Sequence, residues 1–236
     1  MLESINIEAF RKFHRTGGTL VCLGDQKPAF GLGFANMQEL AKSLGFSRAI
    51  DLDYNGKAEI SHDLNLPLPK ALHRIADAVY DGGTLEHVAN IGEAFRTVAS
   101  LLKVGGTLVQ VNPLNCYGDS YYGLDPMLPR DLYELNGFTT HDVCVYYRKG
   151  GRALLHSLVL RFLPPRIVER IRAHFRGNQA AKDFLMKDRR EDVVTVPAFG
   201  NQWRRVPLTS SLQYVGTKVR EVEDWRWPAQ TCYPRV

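Results

Sequence analysis

Glu86 and His87 are the residues whose types and position best suit acid–base chemistry in this chain. They follow a turn signal at residues 81–83 (DGG), which comes directly after the apolar run at residues 78–80 (AVY). A histidine can accept a proton near neutral pH because its unperturbed pKa lies there. One interpretation of His87 is therefore a general base for a hydroxyl or an amine, and the other is a residue that caps or packs the loop.

Acidic residues also stand at the ends of apolar runs in the first half of the chain, namely Asp51, Asp53 and Asp81, and Asp63 lies between them in the segment EISHDLN. In nucleotide-binding α/β units, a carboxylate at the end of the second strand accepts hydrogen bonds from ribose hydroxyls. For Asp51 and Asp53 the sequence therefore predicts a ribose contact, with a turn-capping role as the alternative. Asp63 would by itself be a loop residue, and its interest comes from its position between Asp51 and Asp81.

A strand, a loop, a helix and a second strand must position these side chains. The run at residues 78–80 predicts the first strand, and apolar residues from Ile91 onward recur at three- and four-residue spacing, which predicts a helix. We expect Gly105 and Gly106 to end that helix, because glycine tolerates a C-terminal cap. Residues 107–111 then predict a second buried strand before Pro113. Such a crossover joins parallel strands.

Further elements are predicted on both sides of this unit. Residues 19–23 (TLVCL) and 49–52 predict strands, and residues 37–44 and 128–136 predict helices. Residues 142–147 predict an additional strand in an antiparallel pair, and residues 193–196 and 212–215 are candidates for the remaining strands. Together these elements predict an α/β domain with a mostly parallel sheet.

The stretch from a strand-end Asp81 through GGTLEHV, a helix and then LKVGGTL resembles the second half of class I S-adenosylmethionine-dependent methyltransferases, especially the small-molecule and glycan-pathway sub-group. The resemblance covers about residues 19–140. It implies a Rossmann-like fold with a central, mostly parallel, seven-stranded sheet flanked by helices. It also implies S-adenosylmethionine as cofactor, S-adenosylhomocysteine as product, and no metal. The acceptor would be a small or glycan-like molecule, methylated at oxygen.

The same resemblance implies a role for each candidate site residue. Asp51, with Asp53 next, would contact the ribose, Asp63 and Leu64 the adenine, and Asp81 the methionyl end. The acceptor pocket would hold Tyr117, Tyr121 and Tyr122, which could instead close the core. The full cofactor set is Gly24, Asp25, Asp51, Asp53, Asp63, Leu64, Asp81 and Gly82, and Glu86 and His87 would face the acceptor.

One loop departs from the family pattern. Resembling proteins carry two or three closely spaced glycines after the first strand, whereas this chain has Gly24 followed by Asp25 and Gln26. Either these two side chains take over part of the cofactor recognition, or the site no longer binds cofactor. The second alternative describes a non-catalytic binding protein that kept the fold.

The net charge of +5 is unevenly distributed. Residues 1–147 contain 12 Lys and Arg against 17 Asp and Glu, whereas residues 148–205 contain 14 against 5. The basic excess therefore lies outside the resemblance, and its partner would be phosphate, nucleic acid or a lipid surface, or it is a solvated face. A methyltransferase acting on RNA or another polyanion is accordingly the alternative enzyme.

We expect residues 1–150 to form the cofactor-binding core and residues 151–236 a basic, helical C-terminal extension. The amphipathic pattern at residues 154–175 fits a lid, a homodimer contact or a peripheral membrane contact. The aromatic tail is predicted to dock on the protein. Four scattered cysteines, the absence of a signal-like N-terminus and the absence of an apolar run of about 20 residues favour a cytoplasmic protein.

Overall fold

The computed structural model describes residues 3–14, 17–29, 32–115, 120–148, 193–197 and 210–228. The helices are α1 Ser4–Phe13, α2 Met37–Ser43, α3 Ile91–Leu101 and α4 Met127–Leu135. The strands are β1 Thr19–Leu23, β2 Arg48–Asp53, β3 Ile60–Ser61, β4 Ala76–Gly82, β5 Leu102–Pro113, β6 Phe138–Arg148, β7 Val193–Pro197 and β8 Ser211–Lys218. Single 3₁₀ turns lie at Lys70–Leu72 and Leu85–His87.

The strands form one mixed sheet in the order β3-β2-β1-β4-β5-β8-β6-β7. The pairs from β3 to β5 are parallel, and those that join β5, β8, β6 and β7 are antiparallel. The first seven strands in this order are the predicted mostly parallel sheet with its closing antiparallel pair. Within the described residues, β7 adds an eighth strand at the edge beside β6.

β8 changes the predicted division of the chain at residue 150. This strand lies between β5 and β6, so residues 211–218 are part of the central sheet rather than of an extension. Beyond β8, Trp225 packs against the core, with its ring 6.1 Å from that of Trp227. The predicted helices at residues 154–175 and most of the basic segment lie outside the described residues.

Both faces of the sheet are covered, which explains why the parallel strands read as nearly continuous apolar runs. On one face, Phe95 of α3 and Tyr133 of α4 pack against the sheet with ring centroids 5.2 Å apart. On the other face, Phe10 of α1 packs edge-to-face on Phe46 at 5.7 Å. Burying each of these aromatic side chains contributes about 2 kcal/mol to the free energy of unfolding. The central sheet is thereby held between two packed layers.

The sequence predicted that Gly105 and Gly106 end the helix, and this prediction is wrong. α3 ends at Leu101, β5 begins at the next residue, and both glycines lie within the strand. The register of β5 against β4 shifts beside Ala76, and the φ of +87° at Gly105 accommodates this irregularity. A Cβ at Gly106 would lie 2.9 Å from the Lys103 carbonyl oxygen. The positive φ that glycine permits is therefore used for a strand irregularity instead of a helix cap.

Candidate functional site

The candidate site lies at the carboxyl ends of β1, β2 and β4, which meet at one edge because these strands are parallel. Leu23 at the end of β1 is in register with Leu52 of β2 on one side and with Asp81 of β4 on the other. The chain thus leaves β1 between β2 and β4, and the strand order runs outward from β1 in both directions, to β2 and β3 on one side and to β4 and β5 on the other. In open α/β sheets, ligands bind at such a switch point.

A cavity of about 300 Å³ opens at this edge. It brings together four of the predicted site residues, Asp53, Asp63, Leu64 and His87. The other lining residues are Leu52, Tyr54, His62, Asn65, Thr84 and Val88. Apolar walls with a few convergent polar groups are typical of small-molecule sites.

Asp63 is held ionised by its neighbour in the loop. Asn65 donates to Asp63 Oδ1 from its backbone nitrogen at 2.9 Å and from its side-chain nitrogen at 2.8 Å. These hydrogen bonds keep the pKa of the Asp63 carboxyl below its ordinary value. Asn65 Oδ1 in turn accepts the backbone N–H of Asn90 at 2.9 Å, which ties this loop to the start of α3. Asp63 is therefore an oriented acceptor at the cavity wall.

Of the two aspartates predicted for ribose, Asp53 lines the cavity and Asp51 does not. Asp53 accepts the backbone N–H of Tyr54 at 2.6 Å and the side-chain amide of Asn55 at 2.7 Å. Asp51 is half-buried opposite Cys22 in the sheet register. Partial burial, followed by the negative charges of nearby carboxylates, raises the pKa of the Asp51 carboxyl. The geometry favours Asp53 as the contact with a bound ligand.

The turn after β1 is closed by side chains. Gly24 has a φ of +75°, and a Cβ there would lie 2.8 Å from Thr84 Oγ1. The Leu23 carbonyl oxygen accepts hydrogen bonds from Gln26 Nε2 and from Thr84 Oγ1, both at 2.8 Å. A Cβ at Gly82 would collide with Gln26 Oε1, so the buried Gln26 side chain covers Gly82. Thr84 thus joins the loop after β4 to the end of β1, and Gln26 closes the turn after β1.

Asp25, the other departure from the glycine pattern, lies at the surface. Its carboxylate forms an ion pair with Lys27 at 3.2 Å, and both side chains are mostly exposed. Asp25 is not one of the residues that line the cavity. It nevertheless raises the pKa of Asp51 through its charge, which places its carboxylate near the end of β2.

A buried pair of carboxyl groups lies behind the cavity, at the ends of β4 and the following 3₁₀ turn. Asn112 Nδ2 donates to Asp81 Oδ2 at 2.7 Å and to Glu86 Oε2 at 2.9 Å. Burial, and then the charge of Glu86, raises the pKa of Asp81 to about 7. Burial likewise raises the pKa of Glu86. The pair therefore tends to retain a proton close to neutral pH.

A chain of buried side-chain amides and hydroxyls fixes the orientation of Asn112. Gln110 Nε2 donates to Asn112 Oδ1 at 2.6 Å, and the Tyr133 hydroxyl donates to Gln110 Oε1 at 2.8 Å. Because the Asn112 oxygen already accepts a hydrogen bond, its NH₂ group faces the two carboxyl groups. The sequence reasoning missed these three residues. The available signal was the pair of polar residues at alternate positions of an otherwise apolar strand.

His87 connects the buried pair to the cavity. The 3₁₀ turn Leu85–His87 leaves its side chain about half exposed, with Nε2 3.9 Å from Glu86 Oε1. The Glu86 side chain is only 5% exposed. A ligand in the cavity can therefore reach the His87 imidazole, whereas the buried Glu86 side chain does not line the cavity.

The predicted acceptor tyrosines differ in their surroundings. The Tyr122 hydroxyl donates to the Ala89 carbonyl oxygen at 2.7 Å, and the ring packs against the core. The Tyr121 backbone nitrogen donates to the Glu86 carbonyl oxygen at 3.0 Å, while its side chain is 73% exposed. Tyr117 lies outside the described residues. The segment is thus anchored to the Glu86–His87 turn, with Tyr121 left available.

Within the described part of the chain, no group of three His, Cys, Asp or Glu residues is arranged to hold a metal ion. Among the helices that the structure describes, none is long and apolar enough to cross a bilayer.

Comparisons with known proteins give structural matches only. No protein-family model matches the sequence, and the search of curated proteins finds no match. A candidate methyltransferase from Bacillus halodurans matches with a TM-score of 0.50 and 10% identity, covering 91% of this chain and 99% of its own. A SAM-dependent methyltransferase from Archaeoglobus fulgidus matches with a TM-score of 0.48 and 13% identity, over 91% and 92% of the two chains.

At these identities the match to the Bacillus halodurans protein shows the fold alone. Together with the strand order, it identifies a Rossmann-like class I methyltransferase fold. The predicted fold class is thereby confirmed for the described residues.

Proposed function

We propose, from this class I methyltransferase fold, that the protein transfers a methyl group from S-adenosylmethionine to a small-molecule acceptor. The observation that supports this most is the cavity at the switch point, where Asp53, Asp63 and Leu64 meet His87. The first three are residues for which the sequence resemblance implies cofactor contacts. The fourth is the residue that it implies for chemistry.

In this proposal, Asp53 accepts hydrogen bonds from the ribose hydroxyls and Asp63 accepts one from the adenine amino group. Both carboxylates already accept from local donors, which hold them in place before a ligand arrives. Leu64, buried at the cavity wall, packs on the adenine ring. The buried Asp81 contributes through Asn112 and the turn instead of by direct contact.

The turn after β1 remains compatible with this cofactor if the Gln26 side chain becomes part of the binding surface. Gly24 lies against Thr84, a residue of the cavity wall, and Gly82 lies against the Gln26 side chain, so side chains rather than bare backbone would meet the cofactor at this turn. Asp25 and Asp51 lie near this end of the site and add negative potential. A negative surface favours the positively charged sulfonium.

S-adenosylmethionine supplies an activated methyl group when it is bound. An acceptor hydroxyl must lose its proton on methylation, and His87, which lines the cavity with its side chain about half exposed, is the base in this proposal. The Glu86 carboxyl group, 3.9 Å away, stabilises the imidazolium that forms. The exposed Tyr121 lies beside this turn and contacts the acceptor, which we propose to be glycan-like and methylated at oxygen.

The basic excess at residues 148–205 supports a second candidate, methylation of RNA or another polyanion. Binding through Lys and Arg to phosphates releases counterions and therefore weakens steeply as salt increases. Methylation of a neutral small molecule has no such dependence. The two candidates therefore differ in a property that can be measured.

The function is tested by transfer of a labelled methyl group to two acceptor pools, neutral hydroxyl compounds and RNA, each at low and high salt. We expect label in the neutral pool at both salt concentrations. His87→Gln should lower turnover about 100-fold and leave cofactor affinity nearly unchanged. Label only in RNA, and only at low salt, would favour the second candidate. No label in either pool would favour a non-catalytic protein.

A further inference from the structure

The turn after β3 brings an aspartate with one unused oxygen to the wall of the candidate site. Residues 63–66 form this turn, in which the Leu66 backbone nitrogen donates to the Asp63 carbonyl oxygen at 2.9 Å. Both hydrogen bonds from Asn65 to the Asp63 carboxyl group end on the same oxygen, Oδ1. Among the described residues, Asp63 Oδ2 accepts no hydrogen bond. The protein therefore fixes one oxygen of this carboxyl group and leaves the other for a ligand.

The unused oxygen distinguishes between donors and acceptors on a ligand. The hydrogen bonds from Asn65 hold the pKa of the Asp63 carboxyl below its ordinary value, so the group is ionised at neutral pH. An ionised carboxylate accepts hydrogen bonds and cannot donate one. Asp63 Oδ2 therefore attracts an amino group and repels a carbonyl oxygen at the same point. On a purine ring, this difference separates adenine, which has an exocyclic amino group, from hypoxanthine, which has a carbonyl.

The Asn65 side chain is held in one orientation by the residue before α3. Asn65 Oδ1 accepts the Asn90 backbone N–H at 2.9 Å, and the Asn65 carbonyl oxygen accepts Asn90 Nδ2 at 3.2 Å. Because Asn65 Oδ1 already accepts this N–H, the NH₂ group on the other side of the amide faces Asp63. Rotating the amide by half a turn would place its NH₂ group against the Asn90 N–H and its oxygen against the carboxylate. The orientation of the Asp63 carboxyl group therefore depends on α3 as well as on its own turn.

Asn90 has a fixed position because it caps a packed helix. It is the N-cap residue of α3, and its Oδ1 accepts the Glu93 backbone N–H at 3.3 Å. The helix is held on the sheet by buried residues such as Phe95. Asn90 thus uses its side-chain oxygen for the helix and its two N–H groups for Asn65. Through these contacts, the packing of α3 fixes the place of Asp63 at the cavity wall.

The other aspartate at the cavity wall is held differently. Each oxygen of Asp53 accepts one hydrogen bond, Oδ1 from the Tyr54 backbone nitrogen and Oδ2 from Asn55 Nδ2. Asn55 Oδ1 accepts the backbone N–H of Lys57, which belongs to the same exposed loop. Within the described residues, these contacts connect Asp53 to its own loop and not to a helix. Asn55 is therefore a matched control for Asn65, since both asparagines donate to an aspartate of the cavity.

We propose that Asn65 is a positioning residue that determines specificity, because it fixes Asp63 so that the site accepts a purine with an amino group and rejects one with a carbonyl. Asn65 acts through Asp63, and Asn90 acts through Asn65. This inference rests on the proposed function, since it concerns how the site would recognise the adenine of the cofactor.

The test compares S-adenosylhomocysteine with its deaminated analogue, S-inosylhomocysteine, by calorimetric titration of the full chain. We expect the original chain to bind the analogue about 100-fold more weakly, because repulsion replaces a hydrogen bond to a charged group. Asn65→Ala should weaken S-adenosylhomocysteine binding about fivefold and leave the affinity of the analogue nearly unchanged, so that the preference falls to about 20-fold. A purely structural role of Asn65 would weaken both ligands equally and leave the preference at its original value.

Two further variants separate specificity from folding. Asn90→Ser keeps an oxygen that can cap α3 and removes the Nδ2 donor to Asn65, so it should lower the preference about twofold without changing the midpoint of urea unfolding. Asn55→Ala should weaken both ligands equally and preserve the preference. The inference is wrong if the original chain binds both ligands equally well, or if Asn65→Ala keeps the original preference. If the original chain does not bind S-adenosylhomocysteine, the proposed function fails, and this inference fails with it.

Discussion

The edge of the sheet that carries the candidate site has two halves, and both contain acidic residues, which are open to a cavity in one half and buried in the other. In the open half, after β2 and β3, Asp53 and Asp63 face a cavity and accept hydrogen bonds from neighbouring loop residues. In the closed half, after β4 and β5, Asp81 and Glu86 are buried and share one donor, Asn112. Local donors lower the pKa of Asp63, whereas burial raises that of Asp81.

This difference shows that carboxylates at strand ends need not serve one purpose. The open half presents carboxyl oxygens at a cavity, which suit hydroxyl and amino groups of a ligand. The closed half instead fixes the turn that carries His87. The Glu86 carboxyl group accepts a hydrogen bond from Asn112, and the Glu86 carbonyl oxygen accepts one from the Tyr121 backbone nitrogen. In the proposed function, the first half therefore binds the ligand and the second positions His87.

The largest difference between the halves should appear in stability. Asn112→Ala removes the donor that two buried carboxyl groups share, so we expect the free energy of unfolding to fall by about 3 kcal/mol. Asn55→Ala removes an exposed donor to Asp53 in the open half and should cost less than about 0.5 kcal/mol. Urea unfolding of both variants measures this. Equal losses would contradict the distinction between a closed and an open half.

The closed half should also make stability depend on pH. The pKa of Asp81 rises from 3.8 to about 7 on folding, so the folded state binds more protons between these values. This contribution to stability is therefore greatest at low pH and is lost as the pH rises towards 7, with a slope of up to about 1.4 kcal/mol per pH unit.

Glu86→Gln sharpens this prediction, because it removes the charge that helps to raise the pKa of Asp81. The variant should show a shallower decline in unfolding free energy over the same pH range. Urea unfolding at several pH values, for the original chain and the variant, gives both slopes. A decline of the same steepness in the two proteins would mean that Asp81 and Glu86 do not interact as described.

In the open half, substitution of the two candidate ribose contacts should have different effects on cofactor affinity. Asp53→Ala removes a cavity residue and should weaken S-adenosylhomocysteine binding about tenfold, the loss expected for one hydrogen bond to a charged group. Asp51→Ala should change the affinity less, since Asp51 is not at the cavity wall. Calorimetry of the two variants compares them directly. A greater loss for Asp51→Ala would return the ribose contact to that residue.

The smallest expected effect concerns the two tyrosines next to His87. Tyr122→Phe removes a hydrogen bond to the Ala89 carbonyl oxygen and should lower the free energy of unfolding by about 1 kcal/mol. Tyr121→Phe alters an exposed hydroxyl and should leave stability unchanged. Thermal unfolding of the pair measures the difference. If Tyr121→Phe were the more destabilising change, Tyr121 would not be the available acceptor-facing residue.

The sequence predicted the sheet well because its strands are buried on both faces and its helices on one. Residues 19–23 and the helix beginning at Ile91 were recognised by these patterns and agree with β1 and α3. The position of β8 in the centre of the sheet could not be predicted, because strand order depends on long-range pairing rather than on local periodicity.

The candidate site was predicted in part. Asp53, Asp63, Leu64 and His87 could be anticipated, because strand ends meet at one edge of a parallel sheet. The shared donor Asn112 could not, since its role depends on three segments that are distant in sequence. The prediction that a helix ends at Gly105 was wrong because a residue with a positive φ can occupy a strand irregularity as readily as a helix cap.

The most direct test of the account is calorimetric titration of the purified, ligand-free protein with S-adenosylmethionine and S-adenosylhomocysteine. We predict micromolar binding of both, with Asp63→Ala weakening each about tenfold because it removes an oriented, ionised acceptor. An absence of binding at millimolar concentration, in a protein shown to be folded, would contradict the proposal that the cavity at the switch point holds this cofactor.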